Sequence, residues 1–276
     1  MVSPDPLTYS IILVDIEGFS PRPTAVQATL QTQLYDVVRF ALERAHVGQG
    51  DYLSQDRGDG VLLLLPPVTS PTLLLREFVR GLQDALVEHN AAYQEGHRMR
   101  LRVGLHQGPV TQQGQSWAST AINDLARLVD ADPVKGTLAE ARRAHLVVVV
   151  SEEIYGAVVL GGYAGIDSAA YLPADFVTKH GEKRRGWVTV PGYAAPPGLP
   201  SETGEPPAEP EQGLAAGGET EGRTDGAGNG GAAPSVDRSP APAPVPAPAS
   251  RQVWAGGDYV EGSKNVTINT SGPVRS

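Results

Sequence analysis

The stretch 11–21, IILVDIEGFSP, constrains the fold of this chain more than any other. Four apolar residues run directly into Asp15, and Glu17, Gly18, Phe19 and Ser20 follow after Ile16. Such a run reads as a short buried strand that delivers a carboxylate at its tip, with a glycine close behind to let the backbone turn. Strand tips feeding tight turns are where phosphate and metal sites are built in α/β folds.

The pattern of the chain around this strand alternates between strands and helices. A strand is predicted over 7–14. Pro23 then opens a helix whose apolar positions Val26, Leu30, Leu34, Val37 and Ala41 recur at helical spacing. Strands at 52–55 and 61–65 are joined by the turn Asp56-Arg57-Gly58-Asp59-Gly60. A second helix spans 71–90, and 99–106 alternates as a half-buried strand that Gly108-Pro109 turns into another ending near Gln113. A helix follows over 120–129, and 146–150 is a fully apolar strand. Ser151-Glu152-Glu153 then starts a helix over 154–160, and strands at 171–178 and 187–190 close the domain. This order predicts an α/β sandwich, helices packed on a mainly antiparallel sheet that is ferredoxin-like at its centre.

Composition sets the outer limits. Of the 276 residues none is cysteine, which excludes disulfides, zinc–thiolate sites and a cysteine nucleophile. The net charge is −9, with the acidic excess concentrated between Ala194 and Ser250, so the chain is not built to bind a phosphate backbone and no nucleic-acid partner is expected. The first residues have neither a basic nor an apolar leader segment, and the longest apolar run, 61–65, is far short of a membrane span. A cytoplasmic protein with no membrane partner is the expectation. Glycine and proline collect after Tyr193. The domain is therefore placed at 7–193 and a disordered Pro/Gly/Ala/Glu-rich linker at 194–250. The end, 251–276, regains Trp254, Tyr259, Val260, Val266 and Ile268 and reads as a small β-like motif that could dock on a protein partner.

Asp15 and Asp59 are the chemistry-bearing pair. Each alone is an ordinary turn residue, and Asp-Gly is a common hairpin signal. Asn123 and Arg127 stand four apart, on one face of the 120–129 helix. His106 reads either as a satisfied polar residue or as a base.

These segments together resemble the catalytic domain of the class III nucleotidyl (adenylyl/guanylyl) cyclases. The likeness runs through Asp15-Ile16-Glu17-Gly18-Phe19, Gly58-Asp59-Gly60, Arg102-Val103-Gly104-Leu105-His106-Gln107-Gly108, Ala121-Ile122-Asn123-Asp124-Leu125-Ala126-Arg127 and the strand 146–150 with its Ser-Glu helix. The resemblance implies Asp15, Asp59 and the Ile16 carbonyl as ligands of two Mg²⁺ or Mn²⁺ ions. It implies the backbone of Glu17, Gly18 and Phe19 as a phosphate cradle, Asn123 as orienting the ribose and Arg127 as stabilising charge on the phosphate. It also implies a homodimer in which Asp15 and Asp59 of one copy face Asn123 and Arg127 of the other. The substrate would be a nucleoside triphosphate.

The base-reading positions depart from the family pattern. Gln55 stands where purine-specific members carry Lys, and Ser116 where they carry Asp or Cys. Both can donate and accept hydrogen bonds, so the base recognised stays open. The late Lys that grips triphosphate has only Lys179 and Lys183 as candidates, in a basic run that otherwise reads as a solvated loop. Two functions remain in view: an active nucleotidyl cyclase, and a cyclase-like module that binds nucleotide and signals through a partner.

Overall fold

The computed structural model describes residues 5–113, 116–177 and 181–200. At its centre β1 (Leu7–Ile16) is flanked by β3 (Gly60–Leu65) and β4 (Leu101–Gln113), and β2 (Leu53–Asp56) lies outside β3. All of these pairings are antiparallel, and the order β2-β3-β1-β4 is the ferredoxin-like arrangement expected. Beyond β4 come β6 (Leu146–Ser151), β8 (Lys183–Thr189) and β7 (Leu172–Val177), while the short β5 (Ser116–Ala118) returns along β4. Only the β4–β6 pair is parallel among the described residues.

Strand alternation divides the core into two layers. Ile12, Val14 and Ile16 face α1 (Thr24–Arg44) and α3 (Val79–Ala92), meeting Leu30, Leu34, Leu82 and Leu86. Ile11, Leu62, Leu64 and Val149 belong to the opposite layer, with Leu125 and Leu128 of α4 (Thr120–Val129) and Val134 and Leu138 of α5 (Asp132–Glu140). Asp15, between Val14 and Ile16, therefore lies on the α4 face.

Several elements differ from the sequence reading. β1 runs two residues past Val14, because Asp15 and Ile16 pair with Arg102 and Leu101 of β4. Asp15 is thus the last strand position but one rather than a free tip. Gly108-Pro109 does not turn the chain. β4 continues through it, and Pro109 stands where β6 no longer pairs, so only the β1 side of the strand is in use. Gly108 is there for packing, since a Cβ on it would lie 2.6 Å from the Ala121 Cβ of α4. The helix expected over 71–90 is a run of α2 (Pro71–Leu73), a π turn (Leu74–Phe78) and α3. Similarly, Ser151 caps α6 (Glu152–Ile154), its hydroxyl accepting from Ile154 N at 3.4 Å, and a π turn (Tyr155–Val159) follows. α5 was not expected from the sequence. The basic run 183–185 belongs to β8, paired with β7, rather than to a loop. Residues 194–200, read as the start of the linker, are described, and Leu199 is buried in the α4-side layer. The rest of the linker and the 251–276 motif lie outside the described residues. Among the described residues no helix is long and apolar enough to cross a membrane.

Candidate active site

The β1–β3 ladder brings the two acids together. Asp15 pairs with Gly60, and one step further Ile16 N donates to the Asp59 carbonyl at 2.9 Å. Such closeness requires glycine at position 60, because a Cβ there would lie 2.2 Å from the Val14 carbonyl oxygen. Gly58 makes the turn with φ +81°. Of the two turn acids, Asp56 is already committed. It accepts from Tyr35 OH at 2.8 Å, Gln31 Nε2 at 2.9 Å and Gly58 N at 2.6 Å. Among the described residues the Asp59 carboxylate accepts no hydrogen bond and makes no ion pair, so it is the turn acid available to a ligand.

Asp15 is mostly buried, with 17% of its side chain exposed, and Arg102 grips it through Nε at 2.8 Å and Nη2 at 2.5 Å. Burial nevertheless raises its carboxyl to about 6, Arg102 opposing and Asp59 and Asp130 reinforcing the shift. Arg102 also reaches Asp130 at 3.5 Å, and Lys135 holds that acid at 2.6 Å. A divalent cation fits this pair in a limited way. No group of three or more His, Cys, Asp or Glu among the described residues could hold a metal alone. Magnesium, however, is commonly held by one or two carboxylates plus substrate phosphates. Asp15, Asp59 and the neighbouring Ile16 carbonyl therefore suit an ion that arrives with a phosphate-bearing substrate, and do not form a resident cage.

The turn after β1 is tied down from its carbonyl side. Arg22 donates to the carbonyls of Glu17 at 3.3 Å, Gly18 at 3.1 Å and Arg98 at 2.8 Å, and Gln27 Nε2 donates to that of Phe19 at 3.3 Å. Gly18 takes φ +60°, Phe19 packs on the core, and the Glu17 carboxylate pairs with Arg100 at 3.0 Å. Among the described residues no hydrogen bond engages the N–H groups of Gly18, Phe19 or Ser20. Arg22 and Arg102 were not singled out as site residues from the sequence. Strand alternation could have found Arg102, since it shares the face of Gly104 beside β1. Arg22 depends on a loop packing that no local pattern encodes.

Gln55 is buried, 8% exposed, and pairs with Leu62 on the face that carries Asp15. Ser116 begins β5, its backbone paired with Gln113. Asn123 and Arg127 are both exposed on the outer face of α4, whose inner face buries Ile122 and Leu125. No hydrogen bond or ion pair among the described residues joins either of them to Asp15 or Asp59. Lys179 lies outside the described residues, and Lys183 is exposed at the start of β8, separated from β3 by three strands in the sheet order. His106 is remote in role from the acid pair. It lies 3.4 Å from Glu153 and lines a small pocket with Asp124, Ser151 and Arg184. Burial holds its pKa below the usual imidazole value against the pull of Glu153 and Asp124.

Comparison with known proteins adds the following. Among solved structures the likeness is to nucleotide cyclases. The guanylyl cyclase Cya2 covers 72% of this chain and 98% of its own at 15% identity, with a TM-score of 0.49. An adenylate/guanylate cyclase/hydrolase from Silicibacter pomeroyi covers 68% and 99% at 18% identity, TM-score 0.48. The catalytic core of a rhodopsin-guanylyl cyclase with converted specificity, in complex with ATPαS, covers 68% and 99% at 17% identity, TM-score 0.46. The resemblance read from the sequence recurs in these similarities, but at such values they carry none of the argument for the site. A curated relative is the serine/threonine-protein kinase pkn2 of Myxococcus xanthus, 32% identical over 108 residues. That match spans 38% of this chain and 12% of the kinase. No protein-family model matches.

Proposed function

We propose that this chain is a nucleotidyl cyclase acting as a homodimer on a nucleoside triphosphate. The observation that carries the reading is the end of the β1–β3 ladder, where the Asp15–Gly60 pair and the Ile16–Asp59 hydrogen bond set Asp59 beside Asp15. In the proposed reaction the ribose 3′-oxygen forms a bond to the α-phosphorus while the bond from that phosphorus to the bridging oxygen breaks. Pyrophosphate leaves with the electron pair, and the 3′-hydroxyl proton is released to solvent. Asp15, Asp59 and the Ile16 carbonyl would hold Mg²⁺ or Mn²⁺, which when bound supplies neutralisation of phosphate charge. The N–H groups of Gly18, Phe19 and Ser20 donate hydrogen bonds to phosphate oxygens, whereas that of Glu17 is already given to the Arg100 carbonyl. Asn123 and Arg127 come from the second copy, Asn123 orienting the ribose and Arg127 meeting charge that builds on the α-phosphate. Gln55 and Ser116 form the hydrogen-bonding wall for the base, and Lys183 or Lys179 meets the outer phosphates.

The second reading, a binding module without turnover, is favoured by one observation: Arg102 already neutralises Asp15. One assay separates the two. Purified protein with Mn²⁺ is given each of the four ribonucleoside triphosphates, and pyrophosphate and cyclic product are measured. The cyclase reading expects matched release of both from at least one substrate, and loss of both in Asp59→Ala and Asp15→Ala. Nucleotide binding without cyclic product from any substrate would leave the module reading in its place.

A further inference from the structure

The turn that presents Asp59 also carries an arginine, Arg57, whose charge Asp59 attracts but whose shielded Nε has no hydrogen-bond acceptor among the described residues. Arg57 follows β2, and its N–H donates to the Gly60 carbonyl at 3.0 Å, which continues the hairpin one step beyond Asp56. Gly60 in turn pairs with Asp15, and Asp15 with Arg102. Arg57, Gly60, Asp15 and Arg102 are therefore one cross-strand row. Asp56 turns its side chain to Gln31 and Tyr35 of α1, so alternation puts Arg57 on the opposite side, with Gln55 and Asp15. The other arginines around the site are committed: Arg22 to loop carbonyls, Arg100 to Glu17 and the end of α5, Arg102 to Asp15. No carboxylate among the described residues lies within 4 Å of Arg57; Asp59 attracts its charge from further off, and its Nε is shielded from solvent with no hydrogen-bond partner.

A shielded guanidinium N–H without an acceptor costs stability unless something supplies one. An anionic acceptor suits the guanidinium charge, and to reach a spot beside two carboxylates it must bring cations with it. A metal-complexed polyphosphate meets both conditions, and the planar fork of arginine matches phosphate oxygens. We propose that Arg57 contacts the polyphosphate arm of the nucleotide, supplying a cation beside Asp59, a place from which Lys183 is separated by three strands of the sheet. The inference rests on the reading of Asp15 and Asp59 as a metal-holding pair.

The test uses a probe without a base, the preformed Mn²⁺ complex of inorganic tripolyphosphate, titrated calorimetrically into the full-length protein. Arg57→Met, which keeps the apolar stem, is expected to weaken binding by about 10- to 100-fold, the range for a lost charge-assisted hydrogen bond. Arg57→Lys should recover part of it. Arg57→Gln is measured alongside with thermal midpoints, so that a binding loss is not mistaken for unfolding. Equal affinity in wild type and Arg57→Met overturns the inference, as does a wild type that does not bind the probe. The cyclase reading is judged separately by cyclic-product release. Arginine-dependent binding without turnover would sink that reading and keep this site, whereas turnover with arginine-independent binding would do the reverse.

Discussion

At Gly60 a missing side chain is what lets β3 lie against β1 at the rung that carries Asp15. Gly60→Ala forces a Cβ to within 2.2 Å of the Val14 carbonyl oxygen, so backbone has to move. A loss on the order of 3 kcal/mol is expected by urea unfolding. Gly58→Ala is the control in the same turn: nothing lies within 4 Å of its Cβ, but φ is +81°, and the cost should be about 1 kcal/mol. His106 gives a prediction in pH. Burial lowers its pKa from 6.5 in a setting faced by Glu153 of α6, Asp124 of α4 and Arg184 of β8. The native state then binds fewer protons than the unfolded one, so His106 takes stability away as pH falls below about 6.5. His106→Gln should flatten the fall in thermal midpoint between pH 7 and pH 5 relative to wild type, and an unchanged slope would refute the assignment. Asp15 and Asp59 were legible because a strand end and a Gly-flanked turn are local signals. The grip of Arg102 on Asp15 was not, because it depends on which strand lies beside β1.

Among the elements, α3 and the entry to β4 are tied together by a buried side chain, Asn90. Buried Asn90 donates through Nδ2 to the Met99 carbonyl at 2.8 Å and accepts from Met99 N at 2.7 Å. Asn90→Ala leaves two backbone groups without partners and should cost about 2–4 kcal/mol in chemical denaturation, with the oligomeric state unchanged. The long helices and the apolar strands β3 and β6 were legible, since a run such as Leu62–Leu65 or Val147–Val150 has no competing period. Others escaped, α5 and the unbroken β4 among them. α5 carries Pro133 and Gly136, which dilute the helical pattern, and it is held by packing of Val134 and Leu138 on β6 and its neighbours. β4 crosses Gly108-Pro109, which locally reads as a turn and is overridden by pairing with β1 from Leu101 to Val110.

For the molecule as a whole, the exposed placement of Asn123 and Arg127 makes a second copy the source of their partners under the cyclase reading. Asp15→Ala and Arg127→Ala proteins should each be inactive, yet mixed in equal amounts should regain up to about a quarter of wild-type turnover on the statistics of composite sites in dimers. Mixed dimers, verified by differential tags, with no recovered activity would rule out shared sites. The backbone positions of the two acids are fixed by the Asp15–Gly60 rung and the Ile16–Asp59 hydrogen bond, with no slack at Gly60. A hinge or lid at this place would break the sheet before it separated the acids. Under the cyclase reading, control exerted at the acid pair itself would be ionic in kind: what changes between idle and working protein is which cation, guanidinium or divalent metal, sits on two carboxylates whose backbone stays in place.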